Sequence, residues 1–334
     1  MHAPDGLLNV GTALATGGIS VGCVALATRR CGAELQSRLI PLTGVTSAFL
    51  FAAQMLNFPV GVGVSGHILG AALAAILLGP YLGSLSSTVV VVVQALVFAD
   101  GGITALGYNV LNLAVVPAFG GYALYVLFRR FFPANQVGVA LSTGFAAAGS
   151  VILAATAFSI EWLFGATVPV PFDTVFGAMV SVHLLIGVGE GVVSGLVIAA
   201  ILRSRQDIVF GAQDLPSLTG TGGGTEPKLA TSVKWRTFIV CAAGLSVVMA
   251  AVFSQLAAST PDGFERVVAD TGIEPTQETT LGGSLFADYA TEGITNPSVS
   301  LAVAGIAGVL VVAVTGFGML VTVRLVAGKP PVVS

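Results

Sequence analysis

The hydrophobic pattern of the chain is that of a bundle of membrane-spanning helices. Apolar runs that are long enough, or nearly long enough, to cross a bilayer recur along it, separated by short polar breaks. Seven runs precede a polar stretch rich in Gly, Thr and Pro, and two follow it. They cover about residues 7–28, 39–57, 66–80, 83–98, 109–128, 137–158 and 175–202, then 235–257 and 298–323. The predicted fold class is an all-α polytopic membrane protein.

The third and fourth runs are short, and Gly79, Pro80 and Gly83 interrupt them. Glycine and proline inside an apolar segment are typical of a broken helix, and non-helical backbone is tolerated at membrane depth where protein buries it. The pattern therefore leaves open two separate crossings or a partly re-entrant pair.

Polar segments divide the chain into three parts. Residues 1–214 hold seven predicted helices, residues 215–233 have the composition of a flexible cytoplasmic linker, and residues 234–334 hold two more helices. The last two helices bracket a loop, about residues 258–297, with one basic residue, Arg266. Its acidic residues are Asp262, Glu265, Asp270, Glu274, Glu278, Asp288 and Glu292.

Composition supports the membrane assignment and excludes other classes. A hydrophobic share of 55% with 9% charged residues lies far outside the usage of soluble domains. The net charge of -3 and the sparse basic residues argue against a nucleic-acid partner. Cys23, Cys31 and Cys241 are an odd number in or beside apolar runs, which favours packing over disulfides or a thiolate site. No basic segment or cleavage site marks a signal peptide, so we expect Met1 to remain.

The distribution of basic residues predicts the orientation. With the N-terminus outside, twelve of the thirteen Lys and Arg residues fall in cytoplasmic segments, and Arg266 alone falls outside. Because one missed helix would invert every later segment, this agreement supports both the nine crossings and an extracytoplasmic acidic loop. The C-terminus is then cytoplasmic.

Candidate metal chemistry begins at Met1 and His2. An α-amine, the amide nitrogen of the second residue and its imidazole can close a five-membered and a six-membered ring around one divalent ion. A planar nitrogen set of this kind suits Ni(II), Cu(II) or Co(II) rather than Mg(II) or Ca(II), and the amide must lose its proton to bind. One in-plane position stays open. The alternative is that His2 is an ordinary polar residue near the start of the chain.

Several polar residues fall on the same predicted side of the membrane as His2. His67, at the predicted outer start of the third helix, is a candidate for the missing ligand, although a helix-start histidine can simply face the headgroups. Ionisable groups inside a membrane are rare and are functional candidates, and intramembrane amides otherwise serve as interhelical hydrogen bonds. The residues on that side are Gln54, Asn57, Asn109, Asn112 and His183, and Glu190 lies deeper on the same helical face as His183.

Four segments together resemble the CbiM/NikM family, the substrate-binding components of cobalt and nickel energy-coupling-factor transporters. They are Met1-His2-Ala3-Pro4-Asp5-Gly6, the run from Ser65 to Ala71, the run from Phe98 to Asn109, and the run from His183 to Gly191. The resemblance covers roughly residues 1–210 and implies that the Met1 amine, the His2 amide and imidazole, and His67 bind the metal. Residues around these ligands are candidates for orienting them or for packing networks: Asp5, Gln54, Asn57, Asp100, Asn109, Asn112, His183 and Glu190.

A second resemblance covers the C-terminal part. Thr260-Pro261-Asp262-Gly263-Phe264-Glu265 is similar to the PDGLE domain of the accessory N subunit of these systems, with Phe264 in place of the usual leucine. The resemblance implies a fused accessory domain that assists metal loading, with Asp262 and Glu265 as candidate residues. Pro-Asp-Gly alone is equally a plain turn.

The resemblance implies a transport component rather than an enzyme, without a catalytic cofactor. It takes Co(II) or Ni(II) from outside, and a transmembrane coupling protein with a pair of cytoplasmic ATPases supplies the energy. The Gly220–Gly224 run lacks the Gly-Lys-Ser/Thr of a phosphate-binding loop. Cobalt and nickel accept the same nitrogen ligands, so the sequence leaves that choice open.

Two other functions fit the sequence less well. A self-sufficient secondary carrier would usually show inverted repeats and mid-membrane ionisable groups; we find no convincing repeat, and Glu190 is the one deep carboxylate that we expect. An intramembrane metalloenzyme is disfavoured because the chain lacks H-E-x-x-H.

Overall fold

The computed structural model describes residues 2–32, 37–216, 233–272 and 283–327. Met1, the linker from 217 to 232, and Glu274 and Glu278 of the acidic loop lie outside the described residues. The described helices are α1 Val10–Gly32, α2 Leu39–Gln54, α3 Ala71–Leu78, α4 Pro80–Val97, α5 Leu106–Val110, α6 Val116–Phe128, α7 Gln136–Gly165, α8 Phe172–Arg205, α9 Trp235–Ala251, α10 Gly263–Asp270 and α11 Pro297–Ala327.

The described helices confirm an all-α polytopic membrane protein. Seven spans are long and apolar enough to cross a bilayer, and α5 and α6 join through a π-helical turn, Leu111–Val115, into one of them. Helix α2 is apolar but has only 16 residues. The first helix begins at Val10 rather than at residue 7, because the residues before it run along other elements and bond to them.

The predicted third helix is wrong in its first part. Residues Phe58–Gly61 and Val64–Gly66 form an antiparallel hairpin, β1 and β2, and the chain turns into α3 only after Gly70, which has a φ of +74°. His67 therefore lies in an extended stretch and does not start a helix. Every residue of α3 is buried, and such burial is the condition under which broken backbone is tolerated at membrane depth. The third predicted crossing is therefore an extended stretch followed by the short helix α3, and not one continuous helix.

The two C-terminal spans pack against α2. A Cβ on Gly44 of α2 would lie 3.0 Å from the carbonyl oxygen of Ala313 in α11, and one on Gly308 would overlap the Phe51 ring. Small residues at such positions let two apolar helices approach closely. The described part of the loop between α9 and α11 reaches over one end of helices α1–α8, where Phe264 of α10 packs edge-on to Phe158 with ring centroids 5.2 Å apart.

Basic side chains meet acidic partners at the opposite end. Arg205 lies 2.6 Å from Asp207, and Arg129 lies 2.6 Å from Asp214. A cavity of about 450 Å³ beside Asp207 is also lined by Arg30 and Arg38. The two ends of the molecule therefore differ in charge, and the predicted metal ligands lie at the end without this basic cluster.

Candidate metal site

Residues 2–9 form an N-terminal strap, with a turn at Asp5 and Gly6, that is pinned by side-chain hydrogen bonds. The Ala3 amide donates to Asn109 Oδ1 at 2.9 Å, and Asn109 Nδ2 donates back to the Ala3 carbonyl at 3.0 Å. The Gly102 amide donates to the same carbonyl at 3.0 Å. An asparagine amide carries a donor and an acceptor side by side, so it can pair with backbone as a strand would. Asn109 thereby fixes the backbone next to His2.

Asp5 anchors the strap a second time. Its Oδ1 accepts from the Thr104 amide at 2.7 Å and from the Thr104 hydroxyl at 2.6 Å, and the residue is 1% exposed. A Cβ on Gly102 would lie only 2.3 Å from the Asp5 amide nitrogen, so the close approach requires glycine there. Further along, the Asn9 amide donates to the Gly165 carbonyl at 2.7 Å. The strap is held on the ends of α5 and α7.

The strap brings His2 against His67. Their imidazole rings stack with centroids 5.6 Å apart and an interplanar angle of 19°. His67 Nδ1 lies 3.1 Å from the Ile68 carbonyl oxygen. Because a carbonyl oxygen only accepts, Nδ1 is the protonated nitrogen of a neutral His67, and Nε2 keeps its lone pair. That is the tautomer a metal-binding imidazole needs.

Burial keeps both imidazoles neutral. It lowers the pKa of His67 to about 4. Burial also lowers the pKa of His2, outweighing the opposite effect of Asp100. Because a protonated nitrogen cannot bind a metal, lowered pKa values leave these imidazoles available as ligands near neutral pH.

Glu190 and Gln54 hold the extended stretch that carries His67. The carboxylate of Glu190 accepts from the Leu69 amide at 2.7 Å and the Gly70 amide at 2.9 Å. Gln54 Nε2 donates to the Leu69 carbonyl at 2.8 Å. A break in a helix leaves backbone groups without helical partners, and an unpaired buried group is costly. These side chains supply the partners, so Glu190 acts on the His67 backbone.

His183 and Asn57 lie around the same site. His183 is buried in α8, its Nδ1 lies 2.7 Å from the Met179 carbonyl, and with His67 it lines a void of about 10 Å³. Asn57 and Gln54 line a larger cavity of about 740 Å³ that His2 and His67 also border. Within the described residues, the side-chain oxygens of Asn57 and Gln54 are buried without a hydrogen-bond partner.

Asn112 lies apart from this group. Its Nδ2 donates to Glu161 Oε2 of α7 at 2.7 Å, and the π-helical turn that contains Asn112 begins after Asn109. Glu161 is 7% exposed. Glu161 is thus a second buried carboxylate besides Glu190, and it lies four residues before the end of α7. A lone carboxylate just after the predicted run 137–158 was the sequence signal that could have revealed Glu161.

The C-terminal loop brings Asp262 to His67. The Ser65 amide of β2 donates to the Pro261 carbonyl at 2.9 Å, which sets Asp262 beside the hairpin. Asp262 Oδ1 caps α10 by accepting from the Phe264 and Glu265 amides, both at 2.8 Å. Glu265 Oε2 accepts from the Asp262 amide at 2.9 Å, which completes a capping box. The Pro-Asp-Gly segment is therefore a helix N-terminus.

The second oxygen of Asp262 faces the imidazole. Oδ2 lies 3.8 Å from His67 Nε2, the nitrogen that keeps its lone pair. Burial alone would raise the pKa of Asp262, but nearby positive charge and the hydrogen bond from the Glu265 amide hold that pKa below its usual range. Asp262 therefore presents a negative charge beside the unprotonated nitrogen.

Asp100 meets His2 on the other side. Asp100 Oδ1 lies 3.2 Å from His2 Nδ1, and Gln94 Oε1 lies 3.2 Å from His2 Nε2. The Tyr289 hydroxyl, from the C-terminal loop, donates to Asp100 Oδ2 at 2.5 Å. Neither Gln94 nor Tyr289 was among the predicted site residues. A glutamine in the apolar run of α4 was the available signal for Gln94.

Side chains alone do not form a complete metal cage in the part of the chain that the structure describes. No group of three or more His, Cys, Asp or Glu residues there is arranged to hold a metal ion. The described donors that converge are two imidazoles, with one carboxylate beside each.

Comparison with known proteins identifies two regions. Residues 2–208 match the family described as cobalt uptake substrate-specific transmembrane region, CbiM, and residues 236–325 match the PDGLE domain. A relative from Archaeoglobus fulgidus, which carries the provisional name of fused nickel transport protein NikMN, is 34% identical over 325 residues. That match covers 96% of this chain and 98% of the relative.

Shorter proteins match the first region. A relative from Haloquadratum walsbyi, provisionally named a metal transport protein, is 40% identical over 213 residues, which are 63% of this chain and 94% of the relative. A crystal structure of a transition metal transporter superposes with a TM-score of 0.56 at 31% identity. It covers 63% of this chain and 96% of the other.

Proposed function

Because this chain belongs to the CbiM family and carries a PDGLE domain after it, we propose that it captures Co(II) or Ni(II) at the extracytoplasmic face and delivers it inward. It acts as the substrate-specific component of an ATP-driven importer of the energy-coupling-factor type. A transmembrane coupling protein and a pair of cytoplasmic ATPases supply the energy, so this chain is a transport component and not an enzyme. It needs no catalytic cofactor.

The observation that carries this proposal is the pair of stacked imidazoles at the strap. His67 Nε2 has a lone pair, and His2 lies 5.6 Å away, centroid to centroid, next to the chain's first residue. The proposed ligands are the Met1 amine, the His2 amide nitrogen, the His2 imidazole and His67. Four nitrogens of this kind suit Ni(II) and Co(II).

The surrounding residues support a preorganised site. Asn109 and Asp5 fix the strap, while Glu190 and Gln54 fix the backbone of the His67 stretch. Partners of this kind orient metal ligands, and their loss typically costs about 10- to 100-fold in affinity. We assign His183, Asn57 and Asp100 to the same supporting group, and Asn112 to the pair with Glu161.

The acidic loop is proposed to guide the ion. Asp262 carries its charge beside His67 Nε2, and it lines the cavity that borders both imidazoles. An opposite charge at a cleft raises the local concentration and the association rate of an ion. Glu265 contributes through the capping box that orients Asp262.

The charge difference between the two ends supports an extracytoplasmic site. Arg129 and Arg205 belong to the basic cluster at the far end, and basic residues concentrate in cytoplasmic segments. We therefore infer that the N-terminal strap faces outside and the C-terminus faces the cytoplasm of a cell membrane.

A self-sufficient secondary carrier is the second candidate, and Glu161 favours it. A carboxylate buried in α7 and bonded to Asn112 is the kind of intramembrane group that carriers use. In that case the purified chain alone would take up metal into liposomes, and Glu161→Gln would abolish uptake. Under the proposal made here, uptake requires the ATPases, and Glu161→Gln leaves metal affinity unchanged.

The deciding experiment separates the chelate from a site made of side chains. Two residues added before Met1 convert its amine into an amide and displace the ring system, so Ni(II) and Co(II) binding is expected to vanish. The same two residues added after Ser334 are the matched control and leave binding intact. Calorimetry measures both proteins.

The pH dependence provides a second readout. Because burial lowers the pKa of His67 to about 4, the protons released on binding near neutral pH come chiefly from the amine, with a reference pKa of about 8, and from the amide. Affinity therefore rises with pH. Unchanged affinity in the N-terminally extended protein contradicts the chelate.

A further inference from the structure

Glu161 of α7 and Asn112 form a polar pair in the interior of the helix bundle. Asn112 lies in the π-helical turn that follows α5, and its Nδ2 donates to Glu161 Oε2 at 2.7 Å. Both side chains are buried. Within the described residues, the second oxygen of each side chain, Asn112 Oδ1 and Glu161 Oε1, is buried without a hydrogen-bond partner. Two acceptors of one pair therefore lack a donor, and buried polar groups are costly to leave unpaired.

The surroundings of Glu161 disfavour a negative charge. None of the ion pairs among the described residues includes it. The titratable side chains level with it on the elements packed against α7 are Tyr108 of α5, Asp5 of the strap and Asp173 of α8, and none is basic. Glu161 also lies four residues before the end of α7, where helix carbonyls carry partial negative charge. Because a buried charge without a partner is far more costly than a neutral group, these surroundings favour the protonated acid.

One proton on Glu161 provides a donor for this pair. A carboxylic acid carries an O–H donor and an acceptor oxygen side by side, as a primary amide carries N–H and C=O. With its proton on Oε1, Glu161 donates to Asn112 Oδ1 while Asn112 Nδ2 donates to Glu161 Oε2, so the two side chains close an acid–amide ring. Glu190 shows the contrast, because its two oxygens accept from backbone amides at 2.7 and 2.9 Å and need no proton.

The pair joins the two elements on which the N-terminal strap is pinned. Asn109, three residues before Asn112, holds one end of the strap through its side-chain amide. Gly165, four residues after Glu161, holds the other end by accepting from the Asn9 amide at 2.7 Å. A change in the spacing of α5 and α7 would therefore move one end of the strap relative to the other.

We propose that Glu161 is a positioning residue, which as a neutral acid paired with Asn112 fixes the spacing of α5 and α7 and so places the strap that carries His2. The expected effect on metal affinity rests on the proposed function. The protonation state of Glu161 and the exchange behaviour of the strap do not depend on it, so both are measured without metal.

Infrared spectroscopy of the metal-free full-length protein reads the protonation state. A neutral carboxylic acid has a C=O band at higher wavenumber than the amide bands, whereas a carboxylate absorbs at lower wavenumber. The difference spectrum between the wild-type protein and Glu161→Gln isolates this one group. We expect the variant to lose a neutral-acid band at neutral pH, and loss of carboxylate bands instead overturns the proposal.

Two substitutions test the positioning role by amide hydrogen exchange of residues 2–9. Glu161→Gln keeps the pair, because the new amide accepts from Asn112 Nδ2 and donates to Asn112 Oδ1, so exchange and Ni(II) affinity stay at the wild-type values. Glu161→Met has a similar volume but leaves Asn112 unpaired. Exchange of residues 2–9 is then expected to rise about 10-fold, the scale of one lost hydrogen bond, and Ni(II) affinity to fall about 10-fold. Unchanged exchange in Glu161→Met, or faster exchange in Glu161→Gln, overturns the proposal.

Tyr125→Phe is the matched control for a lost buried hydrogen bond. Its hydroxyl bonds the Gly211 carbonyl at the opposite end of the bundle, so its removal lowers the melting temperature and leaves exchange of the strap unchanged. If Glu161→Met does not fold, the difference spectrum of Glu161→Gln decides the proposal.

The outcome is separable from that of the proposed function. If the N-terminal extension leaves metal affinity unchanged, the chelate is wrong, yet the infrared and exchange measurements are still made on the metal-free protein. If the extension abolishes binding while Glu161→Met leaves the strap unchanged, the chelate stands and the positioning role of Glu161 is wrong.

Discussion

The chemistry of His67 depends on which ring nitrogen carries its proton. Nδ1 lies against the Ile68 carbonyl and Nε2 lies 3.8 Å from Asp262, so the lone pair of the neutral ring points toward the carboxylate. Glu190 bonds the next two backbone amides and keeps the stretch that carries this ring from shifting. The contacts of Ile68 and Glu190 therefore fix the tautomer and the position that make His67 a candidate ligand.

We predict that His67→Ala leaves the protein folded and weakens Ni(II) or Co(II) binding by more than about 100-fold, beyond the usual effect of losing a supporting residue. The side chain lies in an extended stretch and not in the middle of a packed helix. Calorimetry measures affinity, and thermal unfolding in detergent measures stability.

His183→Ala is the matched control for this variant. His183 is also buried, but it bonds the Met179 carbonyl within its own helix, so as a supporting residue its replacement is expected to lower metal affinity by about 100-fold at most, less than His67→Ala does, while it lowers the melting temperature. Equal losses of melting temperature and affinity in His67→Ala would mean that His67 is structural.

At the scale of elements, α10 combines two tasks in one residue. Asp262 Oδ1 caps the helix, while Oδ2 faces His67. Phe264 anchors the helix against Phe158, and β2 bonds the Pro261 carbonyl ahead of the cap. A short helix that would be marginal alone is fixed by its cap and by tertiary packing.

Because Asp262 both caps α10 and carries a charge next to His67, the two roles can be separated by a substitution. Asp262→Asn keeps a good N-cap but removes the charge, so α10 stays in place and metal loading slows by roughly 10-fold, a typical gain from electrostatic steering. Stopped-flow mixing with Ni(II) measures the association rate. A higher salt concentration is expected to reduce the difference in this rate between the variant and the wild-type protein.

Glu265→Gln controls for charge loss on the same helix. Glutamine also completes a capping box, and Glu265 bonds the Asp262 amide. The rate at which Ni(II) associates with the Glu265→Gln variant is expected to stay within about 2-fold of the wild-type value, because interactions of screened surface charges are weak. An equal slowing of association in both variants would show that the total negative charge of the loop, and not the position of Asp262, guides the ion.

At the scale of the whole molecule, two parts share one site. The proposed ligands belong to residues 1–214, whereas Asp262 and Tyr289 come from the C-terminal loop and contact His67 and the His2 partner Asp100. Helices α9 and α11 hold that loop in place by packing on α2. The C-terminal part therefore closes over ligands that it does not supply.

Deleting residues from 228 onward is predicted to retain metal binding, weakened by roughly 10-fold, while transport with the partner subunits falls further. A relative matched over 213 residues for 94% of its length consists largely of the first part, so this part is expected to fold alone. Complete loss of equilibrium binding in a folded truncation would mean that the C-terminal part supplies a ligand.

The sequence by itself determined the helical bundle, its approximate spans and the metal-binding candidates. Apolar runs of about 20 residues have few alternatives in a bilayer, because a helix satisfies its own backbone hydrogen bonds. The seven described spans, which include the C-terminal pair, and the apolar helix α2 follow from that rule. His2 and His67 were recognised from local motifs and are close in space.

Only the tertiary structure decided which polar side chains meet. Glu190 reaches Leu69 across 121 positions, Gln94 reaches Tyr289 across 195, and Asn112 pairs with Glu161 instead of joining the site. The break before α3 is likewise stable because Glu190 and Gln54 satisfy its backbone. Periodicity shows which face of a helix is polar, but a hydrogen bond needs two groups within about 3 Å, and that depends on how helices far apart in sequence pack together.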